Sequence, residues 1–155
     1  MSGACHFDRP VLSPVEGLSA QPEHRRRIER RMALSPQEFR RVVSQAIASL
    51  PPPIAERLEN VEVVVEDRPT LAELAMAGVE PPGTLFGLYT GTPLTERDSS
   101  YGMVLPDKIT LYQRSIEEAC RTRDEVREQI RITLMHEIGH YFGLSEEELE
   151  EAGYE

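Results

Sequence analysis

The chain has 155 residues, of which 39% are apolar, so it can bury one hydrophobic core without disulfides or a structural metal. It has no apolar run of about 18 residues, which excludes a membrane-spanning helix, and its two cysteines do not form a disulfide framework. The formal net charge of −10 disfavours nucleic-acid binding, because contacts with phosphates need a basic surface.

This charge is unevenly distributed. Residues 1–33 contain six Arg and four acidic residues, whereas the other 122 residues contain 11 Lys and Arg and 23 acidic residues. The first segment is rich in Pro, Ser, Gly, Gln and Arg without an apolar period, so we predict that it is mostly disordered. It lacks the apolar core of a secretory signal, which favours a cytoplasmic location. Its stretch HRRRIERR (residues 24–31) could dock on an acidic partner, although a solvated tail is the simpler reading.

The first helix is predicted to begin at Ser35. Ser35 and Glu38 have the spacing of a capping box, and Pro36 occupies the first helical position. Apolar residues then follow at helical spacing as far as Leu50, where three consecutive prolines end the helix.

The middle of the chain predicts three strands and two short helical pieces. The strands are residues 61–66 (VEVVVE), 85–90 (LFGLYT) and 108–113 (KITLYQ). A short helix is expected over residues 70–77, and a helical turn over residues 115–121. The third strand could be an edge strand that pairs with an extended peptide substrate, or an internal strand of the sheet.

The last third predicts a long helix over residues 124–142, ended by Gly143, and then a short acidic helix capped by Ser145 and Glu148. The order of elements, with all strands before the long helix, predicts a small α+β domain. In such a domain one mixed sheet packs on a buried helix.

The long helix contains the sequence HEIGH, in which His136 and His140 are four residues apart. Histidines at this spacing lie one turn apart on one helix face, so both imidazoles can bind the same tetrahedral Zn²⁺. Glu137 lies next to the first histidine, where it can take a proton from a water that the metal activates. The pattern predicts a zinc site with Glu137 as catalytic base.

Helical geometry supports this reading. At about 100° per residue, the two histidines lie roughly opposite an apolar stripe. One face of the helix is therefore expected to be core, and the other to offer polar, metal-binding groups to a cleft. The stripe consists of Val126, Ile130, Leu134 and Ile138.

The sequence after the histidines suggests a third ligand. It continues to Gly143 and Glu146 and resembles the metzincin pattern H-E-x-x-H-x-x-G-x-x-H, with Glu in the last place. Glycine permits the sharp turn that brings the chain back towards the metal, and a carboxylate is an acceptable zinc ligand. Glu146 is the predicted third ligand, and Glu147 and Glu150 are alternatives.

Residues 34–155 resemble a small bacterial family of zinc metallopeptidases called minimal zincins. The matching stretches are FGLYTGTPLTER (residues 86–97), LPDKITLYQRSIE (residues 105–117) and REQIRITLMHEIGHYFGLSEEELEEAGY (residues 127–154). The resemblance implies a compact zincin-like domain over residues 34–155, with the sheet beside the active-site helix.

The resemblance also implies zinc bound by His136, His140 and Glu146, with Glu137 as catalytic base. Glu146 stands where this family more often has Asp. We therefore expect a zinc-dependent peptidase that hydrolyses peptide bonds with a metal-activated water and acts on a peptide or protein substrate. A short chain suggests a shallow cleft, and hence weak general proteolysis.

Two other functions fit parts of the sequence. A regulatory module could keep the zinc fold with little turnover and act through its charged surfaces. A regulatory protease could cleave one specific protein, although the chain shows no DNA-binding or sensor domain to support this. Among other residues, Cys5 could inhibit the enzyme by binding the zinc as a thiolate, although a free, inert thiol is the simpler reading. Tyr101, Tyr112 or Tyr154 could stabilise an oxyanion. Cys120 is expected in the core.

Overall fold

The structure is a computed structural model that describes Glu23, residues 33–99 and residues 106–151, without the side chain of Glu146. The N-terminal basic segment lies, apart from Glu23, outside the described residues. The elements in chain order are α1 (Pro36–Ala48), α2 (Pro52–Ala55), β1 (Val61–Glu66), α3 (Leu71–Met76), β2 (Gly87–Thr90), a 3-10 turn (Leu94–Glu96), β3 (Asp107–Tyr112), α4 (Gln113–Ala119), α5 (Arg123–Tyr141) and α6 (Glu146–Glu151).

Local signals in the sequence account for most of these boundaries. Ser35 accepts a hydrogen bond from the Glu38 backbone N–H at 3.2 Å, and the Glu38 carboxylate accepts one from Ser35 N–H at 2.8 Å. The predicted capping box is therefore confirmed, and these bonds lower the pKa of the Glu38 carboxyl. The prolines end α1 as predicted. They also begin a second, unpredicted helix, α2, because Pro52 suits a first helical position.

The three strands form one mixed sheet in the order β1-β3-β2. β1 runs parallel to β3, with Val61 opposite Asp107, and β2 runs antiparallel to β3, with Gly87 opposite Leu111. The strand predicted over residues 108–113 is therefore central, and the reading of it as an edge strand is wrong. In the described part of the chain, β2 lies at an edge of the sheet.

The long helix packs on one face of this sheet through its apolar stripe. The first half of the stripe belongs to a buried cluster that includes residues of α1, and the second half belongs to a cluster that includes residues from the middle of the sheet. All four residues of the stripe are buried, as the spacing predicted: Val126, Ile130, Leu134 and Ile138. Burying each such side chain is worth about 1.5–3 kcal/mol.

The opposite face of the sheet carries α3. Leu74 and Ala77 pack there against Leu85, Leu88 and Tyr112 in a third buried cluster. Side chains alternate between the two faces of a strand, so Tyr112 faces α3 while Leu111 faces the long helix. The predicted α+β class, with one mixed sheet packed on a buried helix, is confirmed. None of the described helices is long and apolar enough to cross a membrane.

Candidate metal centre

The helix that carries the candidate ligands begins and ends at well-defined signals. Thr122 caps α5 by accepting a hydrogen bond from Glu125 N–H at 3.1 Å. The helix then runs for 19 residues, and Gly143 follows it with a φ of 85°. This left-handed conformation favours glycine, so the predicted stop at Gly143 is confirmed.

The side chains of His136 and His140 converge on one point. Their Nε2 atoms lie 3.0 Å apart, and their ring planes meet at 81°. Two nitrogens bound to one tetrahedral zinc at about 2.0–2.1 Å lie about 3.3 Å apart, so this spacing fits a shared ion. Both side chains are buried, with 3% and 1% of their surfaces exposed, so the polar side of the helix is covered as well as its apolar stripe.

A hydrogen bond to the backbone orients His140. Its Nδ1 lies 3.2 Å from the carbonyl oxygen of Leu144. A carbonyl can only accept, so the proton of a neutral His140 is on Nδ1 and its Nε2 offers a lone pair. Metal-binding histidines commonly make this second hydrogen bond, which fixes the tautomer and the ring orientation.

Glu137 is fully buried between α5 and β2. A Cβ atom added to Gly87 of β2 would lie only 2.8 Å from the Glu137 Oε1 atom. At about 100° per residue, the two histidines lie between the side of α5 that bears Glu137 and the side that bears Gly139. The carboxylate therefore lies on the sheet side of the histidine pair.

On the other side of the histidines, α6 packs against α5. The side chain of Leu149 occupies the space where Gly139 would carry a Cβ atom, and Leu149 is 1% exposed. Ser145 and Glu148 form the predicted cap of α6, with Ser145 N–H donating to the Glu148 carboxylate at 2.8 Å. Glu146 is the first residue of α6, one helical turn before Leu149.

The turn between α5 and α6 is covered by the segment that follows β2. Thr95, in the 3-10 turn, lies directly against Gly143 and fills the space of its missing side chain. Arg97 then packs over the ring of Tyr141, with its guanidinium carbon 5.0 Å from the ring centre. Residues 91–97 therefore pack against the end of α5 and the turn that follows it.

A buried ionic network anchors this segment. Asp107, at the start of β3, binds Arg97 and accepts a hydrogen bond from the Tyr89 hydroxyl at 2.7 Å. Only 10% of the Arg97 side chain and 3% of the Asp107 side chain are exposed. Burial and the Asp107 charge raise the pKa of Tyr89. Sequence reasoning did not identify this network, because it depends on how β2, the segment after it and β3 pack together.

Three of the four predicted site residues are thus close together, and the fourth is placed by its backbone alone. Among the side chains that the structure describes, no group of three His, Cys, Asp or Glu is arranged to hold a metal. The side chain of Glu146 is outside that set, and Glu147 and Glu150 are exposed. The role of Glu146 remains a prediction.

The other candidates from the sequence have less support. Tyr112 packs in the α3 cluster, which contains none of the predicted site residues, and burial together with the Glu73 charge raises its pKa. Cys120 is half-buried beside the core as expected, and burial raises the pKa of its thiol to about 11. Cys5, Tyr101 and Tyr154 lie outside the described residues.

Sequence reasoning also missed two glycines of the site. Gly87 and Gly139 both have a neighbouring side chain where their own would be. A glycine inside the strand pattern was a usable signal for Gly87, because such a glycine often marks a close approach. For Gly139, a glycine in the interior of a helix was the corresponding signal.

Comparison with known proteins identifies the family of the chain. A model of the zincin-like metallopeptidase family matches residues 58–154, which is more than half of the chain and includes β1 to α6. No curated protein matches the chain. The family implies a peptidase that acts on peptides or proteins with a divalent metal, usually zinc. The chain belongs to the zincin-like metallopeptidase family.

Proposed function

We propose that this protein is a zinc-dependent peptidase in which His136 and His140 bind the metal and Glu137 is the general base. The convergence of the two Nε2 atoms, 3.0 Å apart, carries the proposal. The hydrogen bond from His140 Nδ1 to Leu144 supports it, because it directs the lone pair of Nε2 towards His136. The buried carboxylate beside them suits a base rather than a surface residue.

Glu146 is the proposed third ligand. The contact of Leu149 with Gly139 brings α6 against the helix that bears the histidines. Position 146 precedes Leu149 by three residues, so it shares a face of α6 with that contact. Glu148 is engaged in the Ser145 cap, and this engagement lowers the pKa of its carboxyl. The two alternatives, Glu147 and Glu150, are exposed, which supports Glu146 as the ligand.

Each residue then has a defined task. Zinc held by His136, His140 and Glu146 would supply a Lewis acid, which lowers the pKa of a bound water towards about 7. Glu137 accepts the proton of the attacking water and delivers it to the leaving amine. In neutral His140 the bond to Leu144 keeps the proton on Nδ1, so the lone pair of Nε2 is the one that faces the metal position.

The sheet offers a place for an extended substrate. β2 pairs with β3 on one side, and no other described strand pairs with its second side. Extended peptides bind such edges through backbone hydrogen bonds. Gly87 of β2 contacts Glu137, so a peptide added to this edge would run close to the proposed base.

Metal analysis of the purified full-length chain tests the proposal. We expect about one zinc per chain, and loss of most of this zinc in His136→Ala and in His140→Ala, because two protein ligands rarely suffice for catalytic zinc. His24→Ala, outside the motif, is the matched control and should keep its zinc.

The same preparations should be assayed on denatured protein substrates. Wild type is expected to release peptides slowly, to lose this activity with a chelator and to regain it with zinc. Equal zinc content in wild type and both motif variants would refute the metal site. Zinc binding without any cleavage would instead favour the regulatory module.

The third ligand can be tested separately. Glu146→Gln is expected to weaken zinc binding by at least about 10-fold, since a neutral amide replaces an anionic ligand. The same change at Glu147 and Glu150, both exposed, should alter zinc affinity less than about 2-fold. Competition with a chromogenic chelator measures all three, and an equal loss at Glu147 or Glu150 would reassign the ligand.

A further inference from the structure

The strand glycine Gly87 faces the side chain of the proposed base. A Cβ atom placed on Gly87 would lie 2.8 Å from Oε1 and 2.9 Å from Cγ of Glu137. It would also lie 2.7 Å from the methyl carbon of Thr133, one turn earlier on the same helix. Carbon atoms of real side chains do not approach this closely, so Glu137 occupies the space that any larger residue here would need.

Backbone conformation does not explain this glycine. Gly87 is paired with Leu111 in the sheet, and the described glycines with positive φ are Gly78 and Gly143. Any residue could therefore adopt its backbone. Because glycine weakens a strand interior, its presence here points to the close approach of another group.

The groups around Glu137 restrict the position of its carboxylate. Glu137 is fully buried, so its side chain does not extend into solvent. Thr133, which is 1% exposed, and the backbone of β2 bound it on the sheet side. The location of the carboxylate relative to the histidines is thus set by how closely β2 can approach α5.

We propose that Gly87 is a positioning residue for Glu137. Its missing side chain lets the carboxylate lie against β2, on the sheet side of the histidine pair. This inference rests on the proposed role of Glu137 as general base. It differs from a packing role, because a residue that only fills space would affect stability and leave turnover per folded molecule unchanged.

A thermal double-mutant cycle tests the contact without any need for activity. Gly87→Ala, Glu137→Ala and the double variant are compared with wild type as full-length chains, with and without zinc. We expect Gly87→Ala to lower the unfolding temperature by several degrees in the wild-type background and by much less in the Glu137→Ala background. If Gly87→Ala fails to fold alone, recovery of a folded double variant supports the same contact.

Two controls identify the partner. Gly83→Ala is crowded to a similar degree, with its Cβ position 2.7 Å from Val79 and 2.9 Å from the Glu80 carbonyl. Its thermal effect should be the same with or without Glu137. Thr133→Ser removes the methyl group near Gly87, and relief of the Gly87→Ala defect by this change alone would overturn the proposal. An equal Gly87→Ala defect in both Glu137 backgrounds would overturn it too.

Kinetics of the zinc-loaded protein then test positioning. Displacing a catalytic group by about 1 Å can cost about 100-fold in rate. Gly87→Ala should therefore lower kcat by about 10-fold to 100-fold, with KM and zinc affinity within about 2-fold of wild type, and Gly83→Ala should leave kcat unchanged. An unchanged kcat in Gly87→Ala would overturn the proposal. A zinc-loaded wild type without turnover would refute the proposed function, while the thermal cycle would still decide whether Gly87 sets the place of Glu137.

Discussion

Glu137→Gln is expected to bind zinc as wild type does and to lose about 10²-fold to 10⁴-fold of its peptide-hydrolysing activity. That range is the usual contribution of a general base. Glutamine keeps the size of the side chain, so the space beside Gly87 stays filled, but it cannot accept the proton of the attacking water. The measurements are zinc per chain and the rate of peptide release from a denatured protein.

Glu128→Gln is the matched control for this variant. Glu128 lies on the same helix, makes an exposed ion pair with Arg131 and precedes His136 by about two helical turns. Its activity should equal that of wild type. Equal activity in wild type and Glu137→Gln would refute the catalytic role of Glu137, whereas loss of zinc in Glu137→Gln would assign it to the metal site instead.

Local chemistry made much of the fold predictable. The Ser35–Glu38 cap, the stripe along α5 and the stop at Gly143 each depend on residues within a few positions of one another. The histidine pair belongs to this class too, since a spacing of four on a helix already brings two rings together. These features could be predicted because no partner element has to be known.

The features of the fold and the site that the sequence did not predict depend on which helices and strands pack against each other. The alternation in residues 108–113 suits a strand with one polar face, but Thr110 and Tyr112 on that face are buried in the fold, which alternation alone does not reveal. Gly87 and Gly139 owe their roles to Glu137 and Leu149, which approach from other elements. The predicted strand over residues 85–90 is also longer than β2, which begins at Gly87.

The Arg97–Asp107 pair is the clearest case of a feature that depends on which elements meet, and removing it is expected to have a large effect. Asp107 is bonded to Arg97, to the Tyr89 hydroxyl and, at 3.4 Å, to the Thr92 backbone N–H. Arg97 in turn donates to the Thr92 carbonyl at 3.0 Å and packs on Tyr141. One carboxylate thus connects the start of β3 to the segment that covers the end of the helix that bears the two histidines.

Asp107→Asn is therefore expected to destabilise the protein by about 3–5 kcal/mol, the usual result of removing one charge of a buried ion pair. In a protein of this size the unfolding temperature should fall by about 10 °C or more. Asparagine has the same shape as aspartate and keeps one oxygen that can accept the hydrogen bond of Tyr89. The loss of stability would therefore report the missing negative charge beside Arg97. Thermal and denaturant unfolding of the zinc-free chain measure it without the contribution of the metal.

Asp124→Asn makes the same chemical change at an exposed pair, in which Asp124 and Arg127 lie 2.6 Å apart with 91% and 54% of their side chains exposed. Exposed pairs contribute about 0–1 kcal/mol, so this variant should melt within a few degrees of wild type. The double variant Arg97→Met/Asp107→Asn should recover part of the stability that Asp107→Asn loses. In the double variant, the positive charge of Arg97 is no longer buried without the negative charge of Asp107. If Asp107→Asn melted like Asp124→Asn, the buried pair would not hold the segment over Gly143, and the packing of Thr95 on that glycine would have to do so alone.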